Sequence, residues 1–144
     1  MTVFVLDASA ALAWALPSQR TQGTHQFFAS TERETFLAPH IFDWEVGNAL
    51  LGLRRRGLIS TGALADVLQD LSSLAITRRP ALTLDEIDDL MAIAGGAELS
   101  LFDTAYFSLA IRETAHLVSR DRRLLDVARR CGLSCVDLME DAGI

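Results

Sequence analysis

The sequence has 144 residues, half of them hydrophobic, which is enough chain to bury one core and too little for two ordinary domains, so we expect a single domain over residues 1–144. No stretch approaches the roughly 18 consecutive apolar residues of a membrane span, and the N-terminus lacks the pattern of a secretory leader, so we expect a cytoplasmic protein. The net charge of -6 argues at first against a polyanionic partner, because such binding rests mainly on Lys and Arg.

The first third of the chain alternates between strand and helix patterns. An apolar, β-rich run stops at Asp7, and apolar residues then recur at helical density until Pro17 breaks the pattern. A longer amphipathic pattern, which includes Trp44 and Ala49 among its apolar positions, ends in a basic turn followed by Gly57. The predicted elements in order are a strand at 3–6, helices at 8–16 and 21–30, a strand at 36–38 and a helix at 41–56.

The remaining chain continues the alternation. Thr83 with Glu86, and Ser100 with Asp103, have the spacing of capping boxes and predict two helix starts. Strands that are separated by helices are typical of the α/β class with a mainly parallel sheet. The predicted elements are helices at 60–74, 83–95, 100–112 and 121–130, and strands at 75–77, 116–118 and 134–136.

Four acidic residues occupy positions that allow either a structural or a chemical role. Asp7 and Asp121 each follow a strand and precede a helix, where Asp is a good N-cap. Asp103 can be the third helical residue of a capping box with Ser100. Glu45 lies one turn into an otherwise apolar helix, and a solvated carboxylate could sit there if that face is exposed. Each residue alone has a sufficient structural explanation.

The four acids taken together predict a metal site. The strand ends of a parallel sheet meet at one edge, which would bring Asp7 and Asp121 together, and the helices of Glu45 and Asp103 could begin there. Four carboxylates repel each other by roughly 4 kcal/mol per pair at 4 Å for an effective dielectric of 20, so cations or protons must compensate. Oxygen ligands without His or Cys favour Mg²⁺ or Mn²⁺.

The two cysteines, Cys131 and Cys135, lie close together near the C-terminus. No other Cys or His pair completes a zinc-ligand set at the usual spacing. We predict that both are buried thiols without a redox or metal role.

Four ordered segments of the chain resemble the signature stretches of PIN domains, and most closely those of VapC-type toxins from bacterial toxin–antitoxin pairs. The resemblance spans nearly the whole chain and implies a three-layer α/β/α fold around a mainly parallel sheet of about four to five short strands. The segments are VFVLDASAALAWAL, APHIFDWEVGNALLGL, ELSLFDTAYFSLAI and HLVSRDRRLLDVARRCGL.

The resemblance also assigns residues. Carried over by position, the acidic residues of the family fall on Asp7, Glu45, Asp103 and Asp121, where they imply catalysis and the binding of Mg²⁺ or Mn²⁺. Polar positions that the family places beside these acids fall on Ser9, Asn48 and Ser119, which would act as partners of the metal ligands. The chain departs slightly at Phe102, where Tyr is frequent, and at Thr104, where Ala is frequent.

The resemblance implies an endoribonuclease that hydrolyses RNA phosphodiester bonds with a metal-activated water, paired with a small VapB-like antitoxin and itself a homodimer. The helix predicted at 41–56 has more apolar residues than one helical stripe requires, namely Leu50, Leu51 and Leu53. This excess fits an additional buried face or a thick core.

The acidic charge does not exclude RNA, because several acids are the proposed metal ligands. All 13 basic residues are arginine, and clusters such as Arg78 with Arg79 could bind RNA or simply be solvated.

Two alternatives remain open. A catalytically silent interaction module with the same fold predicts that at least one of the four acids is replaced, and none is. A phosphotransfer domain would also place an Asp after the first strand. However, Ser9 stands where the phosphatases of that class have a second Asp, and the chain contains no lysine to contact a phosphoryl group.

Overall fold

The computed structural model describes residues 2–139 as an alternation of strands and helices. Each element begins and ends within a few residues of the range that the sequence pattern predicts. The strands are β1 (Val3–Leu6), β2 (Thr35–Ala38), β3 (Ile76–Arg78), β4 (His116–Ser119) and β5 (Cys135–Asp137). The helices are α1 (Ala8–Ala15), α2 (Gln22–Ser30), α3 (Phe42–Arg55), α4 (Thr61–Ser73), α5 (Leu84–Ala97), α6 (Leu101–Arg112) and α7 (Arg122–Arg130).

The five strands form one parallel sheet in the order β3-β2-β1-β4-β5, with β1 at its centre. The chain moves outward from β1 to β3, crosses back to β4 and then moves outward to β5. Right-handed crossovers therefore place α1 to α4 on one face and α5 to α7 on the other. Contacts of α1 with α2, α3 and α4, and of α6 with α5 and α7, agree with two helical layers. The prediction of an α/β fold with a parallel sheet is confirmed.

The core is built on the three inner strands. Val5, Leu6, Leu117 and Val118 are completely buried in β1 and β4. Both faces of these strands are apolar because helices cover both sides of the sheet, as expected for parallel strands. Since β1 and β4 end at the same edge, this core fixes the positions of the residues that follow them.

Helix α3 buries a narrower face than its sequence pattern predicts. Phe42, Val46 and Leu50 face the core at intervals of four residues. Trp44 is 76% exposed and Ala49 is also exposed, so the apolar stripe predicted through these two positions is wrong. The buried face of α3 is therefore the row of Phe42, Val46 and Leu50, and Trp44 and Ala49 lie on the surface beside this row.

The prediction of two buried thiols is also wrong. Cys131 is exposed because it follows the last turn of α7, where the chain leaves the core. Cys135 is half-buried because β5 is an edge strand with a neighbour on one side, and burial raises the pKa of its thiol. Both cysteines are free.

The last strand is attached to α7 by a buried carboxylate. The side chain of Asp137 is only 2% exposed and lies 3.7 Å from Arg122 Nη1 and 3.6 Å from Arg129 Nη2. The backbone N–H of Leu138 donates to the carbonyl of Ser119 over 2.9 Å. The end of the described chain therefore supports both β4 and α7.

None of the helices within residues 2–139 combines the length and the hydropathy that crossing a membrane requires.

We expect the Leu117→Ala variant to lose about 2–5 kcal/mol of unfolding free energy, because it leaves a cavity at a completely buried position of β4. Urea denaturation followed by circular dichroism measures this loss. Leu68→Ala is the matched control, since Leu68 is 47% exposed, and it should change the unfolding free energy by about 0.5 kcal/mol or less. Equal losses in the two variants would contradict the placement of the core.

Candidate active site

The four predicted acids lie near one another at the carboxyl edge of the sheet. Asp7 follows β1, Asp121 follows β4, and Glu45 and Asp103 lie in the first turns of α3 and α6. Their charges act on one another, because Asp7 and Asp103 each raise the pKa of Glu45, and Asp121 raises the pKa of both Asp7 and Asp103. The structure thus brings together four residues that are far apart in the sequence.

Asp7 lies deepest in the cluster, with 4% of its surface exposed. Its Oδ2 accepts hydrogen bonds of 2.7 Å from the hydroxyls of Ser9 and Ser119. Burial raises the pKa of Asp7, and the two hydroxyl donors oppose that rise. Its side chain does not cap α1, so the purely structural explanation of Asp7 as an N-cap is wrong.

The two serines connect the ends of β1 and β4. Ser119 Oγ accepts from the backbone N–H of Asp121 over 2.9 Å, and Ser9 Oγ accepts from the backbone N–H of Arg120 over 3.0 Å. Each hydroxyl therefore donates to Asp7 and accepts from the loop that carries Asp121. These contacts place both serines beside the acids, and their predicted role as partners of the metal ligands remains a prediction.

Asp121 does cap its helix, because its Oδ1 accepts from the backbone N–H of Leu124 over 3.1 Å. This bond fixes the carboxylate at the start of α7 and engages only one of its two oxygens. A cap and a metal ligand are therefore compatible roles for Asp121.

Asp103 carries a strongly perturbed carboxyl group. Burial, followed by the charges of Asp121 and Asp7, raises its pKa to about 6, against opposing effects of Ser100 and Arg123. Ser100 Oγ accepts from the backbone N–H of Asp103 over 3.1 Å, as predicted for the start of α6. A carboxylate held near like charges in partial burial is typical of a functional site.

Glu45 faces Tyr106, a residue that the sequence analysis did not single out. Burial raises the pKa of Glu45, the Tyr106 hydroxyl opposes the rise, and Asp7 and Asp103 add to it. Glu45 Oε1 and the Tyr106 hydroxyl are both buried, and neither has a hydrogen bond of normal geometry to any residue within 2–139. The sequence did contain a signal, because Tyr106 lies three residues after Asp103, on the same side of α6.

Asn48, the third predicted polar partner, lies apart from the serines. It is one turn beyond Glu45 in α3 but is exposed, and it lines a shallow depression with Trp44 and Leu51. No hydrogen bond joins Asn48 to the four acids in the described part of the chain. Its proposed role beside them remains a prediction.

The donor set fits a hard divalent cation by its chemistry. Carboxylate and hydroxyl oxygens are the ligands that Mg²⁺ and Mn²⁺ prefer, and Glu45 Oε1 is a buried oxygen without a partner. Burial is the main cause of the three raised pKa values, and positive charge would relieve the repulsion that adds to them. Among residues 2–139, however, no three such side chains are already close enough to enclose an ion. An ion held by three of these acids would therefore require their carboxylates to move closer together.

Comparison with known proteins shows which family the chain is similar to. The PIN domain family model matches residues 4–130. The chain is 32% identical over 136 residues to ribonuclease VapC9 of Mycobacterium tuberculosis (strain ATCC 25618 / H37Rv), an alignment that covers 93% of this chain and 98% of that protein. It is 25% identical over 122 residues to ribonuclease VapC3 of Pyrobaculum aerophilum, covering 85% and 92% of the two chains.

Two solved structures share the fold. PAE2754 from Pyrobaculum aerophilum has a TM-score of 0.71 at 24% identity, with 96% of this chain and 92% of that chain covered. VapBC2 from Rickettsia felis, bound to a promoter DNA fragment, has a TM-score of 0.67 at 15% identity, with 94% and 98% covered.

We expect Asp103→Asn to stabilise the metal-free protein at pH 7.5. The folded-state pKa of about 6 lies above the value of 3.8 for an unperturbed Asp, so ionisation destabilises the fold increasingly as the pH rises from about 4 to about 6. Water screens a half-exposed group, so we expect a melting temperature higher by roughly 3 °C. Differential scanning fluorimetry in EDTA measures the change.

The gain should disappear below about pH 3, where the wild-type carboxyl is mostly protonated in both states. Asp66→Asn, at an exposed position of α4, is the matched control and should leave the melting temperature unchanged. A lower melting temperature for Asp103→Asn at pH 7.5 would show that the four acids do not repel one another.

Proposed function

The chain belongs to the PIN-domain family and resembles its VapC ribonucleases over most of its length, and we propose that it is an endoribonuclease that hydrolyses RNA phosphodiester bonds with Mg²⁺ or Mn²⁺. The observation that carries the proposal is the meeting of Asp7, Glu45, Asp103 and Asp121 at one edge of the sheet. Three of these carboxyl groups have raised pKa values because they are buried near like charges. Such a cluster is costly to maintain without a cation.

We assign the four acids two roles, metal binding and positioning of the attacking water, according to their surroundings. Asp7, Asp103 and Asp121 would hold the ion or ions directly or through water. When bound, the metal lowers the pKa of water and neutralises charge on the phosphate oxygens. Glu45, with its free Oε1 beside Tyr106, orients the attacking water or holds a second ion. Ser9 and Ser119 keep Asp7 in one orientation through their hydrogen bonds.

Arginines near the edge provide positive charge for the RNA backbone. Arg123 is exposed and close enough to Asp103 to lower the pKa of that carboxyl. Arg120 is held by a bond of 2.8 Å from its Nη1 to Gln19 Oε1. Phosphate contacts of this kind position a nucleic acid without reading its sequence, and they can act although the chain as a whole is acidic.

The alternatives fit the site less well. A silent module would not need to keep four mutually repelling carboxylates at one edge. A phosphotransfer domain needs an accessible Asp as its nucleophile, and Asp7 is almost fully buried and accepts two serine hydrogen bonds. The geometry therefore favours hydrolysis without a protein nucleophile.

We expect the purified protein to cleave a mixture of structured and single-stranded RNAs with Mg²⁺ or Mn²⁺ and not with EDTA. Asp7→Asn and Asp103→Asn should each lower the rate by at least about 100-fold, because each removes a charge that holds the metal. Gel electrophoresis of end-labelled RNA measures the rates. Asp66→Asn is the control and should cleave at the wild-type rate.

Each other outcome has a distinct meaning. Equal cleavage by wild type and by the Asp7 and Asp103 variants would identify a contaminating nuclease. No cleavage by any preparation, with phosphorylation of Asp7 by a small phosphodonor, would favour the phosphotransfer domain. Neither activity would favour the silent module.

We further propose that the chain acts in the cytoplasm as the toxin of a type II pair and binds a VapB-like antitoxin. The support is that its relatives are named VapC ribonucleases and that it shares the fold of the Rickettsia felis VapBC2 complex.

We also propose a homodimer, since α3 exposes Trp44 and Leu51 on either side of Gly47. Exposed apolar side chains of this kind are common at interfaces.

Sedimentation equilibrium tests the homodimer, for which we expect twice the chain mass of 15.7 kDa. Trp44→Ser should shift the equilibrium toward monomers, because it removes a large apolar contact. Leu84→Ser is the control, since Leu84 is equally exposed but lies on α5. A wild-type monomer at concentrations near 100 μM, or a shift with the control alone, would contradict this interface.

A further inference from the structure

A cavity of about 210 Å³ lies beside the residues that follow β2 and β3. Pro39 and His40 follow β2, and Arg79 and Pro80 follow β3, and all four line the cavity. Helices α5 and α6 close its other side. Since β2 and β3 end at the same edge as β1 and β4, a strand of RNA placed on the four acids can extend into this cavity.

Arg79 lines the cavity with a side chain that is partly exposed. Arg79 is anchored by an ion pair of its Nη2 with Glu113 and by a backbone bond of 2.9 Å to the carbonyl of Ala38. Its Nε is nevertheless buried without a hydrogen-bond partner in the described part of the chain. A buried donor left unpaired costs free energy, but the donors that a ligand in the cavity can reach are the exposed parts of the guanidinium groups of Arg79 and Arg112.

The cavity offers acceptors as well as donors. Arg112 is a second guanidinium, and Asp89 is a carboxylate for which no hydrogen bond or ion pair occurs within residues 2–139. Glu86 also lines the cavity, but its carboxylate is already bonded to Thr83 in the capping box of α5. The mixture of charges disfavours a bare phosphate, which would meet Asp89 and Glu86, and favours a neutral ligand that both accepts and donates hydrogen bonds.

The walls of the cavity are apolar. Pro39, Pro80, Leu82, Leu90 and Ile93 surround the polar groups. The volume is below the roughly 300–1,000 Å³ of pockets for drug-sized ligands, so the cavity is of a size for one small planar group rather than for a peptide segment. Bases of single-stranded RNA are bound in this way, between flat or apolar walls and through their polar edges.

We propose that this cavity binds a nucleobase of the RNA substrate next to the cleaved bond, and that it prefers guanine. Arg side chains donate to O6 and N7 of guanine, and the N1–H and N2–H₂ groups of an unpaired guanine donate to a carboxylate such as Asp89. Adenine presents an amino donor where guanine has O6, and the pyrimidines lack N7. The proposal rests on the RNA cleavage proposed above and adds a specificity site to it.

Binding of mononucleotides tests the cavity without any cleavage, because a mononucleotide contains no phosphodiester bond. We expect GMP to bind the wild-type protein at least about tenfold more tightly than AMP, CMP or UMP by calorimetry. Asp89→Asn should reduce the preference for GMP over AMP about tenfold. Asp88→Asn changes the neighbouring residue of α5, which does not line the cavity, and should keep the wild-type preference.

Arg79→Gln should also remove the preference, but it breaks the ion pair with Glu113 and could disturb the fold, so the Asp89→Asn result decides. Equal binding of all four nucleotides that inorganic phosphate displaces would overturn the proposal in favour of a phosphate site. No detectable nucleotide binding, or equal effects of Asp88→Asn and Asp89→Asn, would also overturn it.

The two proposals fail separately. RNA cleavage that depends on Asp7 and Asp103, without a preference for GMP, would retain the nuclease and remove the guanine site. A preference for GMP that Asp89→Asn abolishes, without any RNA cleavage, would retain the base site and remove the nuclease.

Discussion

The fold holds four carboxylates together against their mutual repulsion. In water these side chains would move apart, but parallel strands and the helices that follow them hold Asp7, Glu45, Asp103 and Asp121 in one place. Burial raises the pKa values of Asp7, Glu45 and Asp103, and the neighbouring carboxylates add to the rise. A cation bound there would reduce the repulsion among the four acids, which would couple the stability of the fold to metal binding.

The fold supports the cluster chiefly with neutral hydrogen-bond donors. Ser9 and Ser119 donate to Asp7, and their own oxygens accept from the loop before α7. An arginine in their place would form a tight ion pair and compete with a metal for Asp7. Hydroxyls orient the carboxylate and leave its charge available, which suits a ligand that must bind and release ions.

Much of this could be predicted from the sequence, because strand and helix periods, capping residues and glycine stops are local signals. Asp7 and Asp121 were predictable as neighbours since parallel strands share an edge. Local signals did not show which apolar residues face inward, so Trp44 was assigned to a buried stripe and proved exposed. The thiols of Cys131 and Cys135 were expected to be buried, but the chain there runs past the end of α7 and along an edge strand. Tyr106 opposite Glu45, and Arg79 in its cavity, depend on packing between helices that no short pattern encodes.

The attachment of the last strand affects when the site can form. Asp137 lies against Arg122 and Arg129 of α7, and the amide of Leu138 bonds to Ser119, whose hydroxyl holds Asp7. These contacts can form only after residues 137 and 138 have been synthesised and have left the ribosome. Assembly of the carboxylate cluster is thus completed only when the chain through residue 138 is available, and a growing chain that has reached only α7 lacks the support for Ser119.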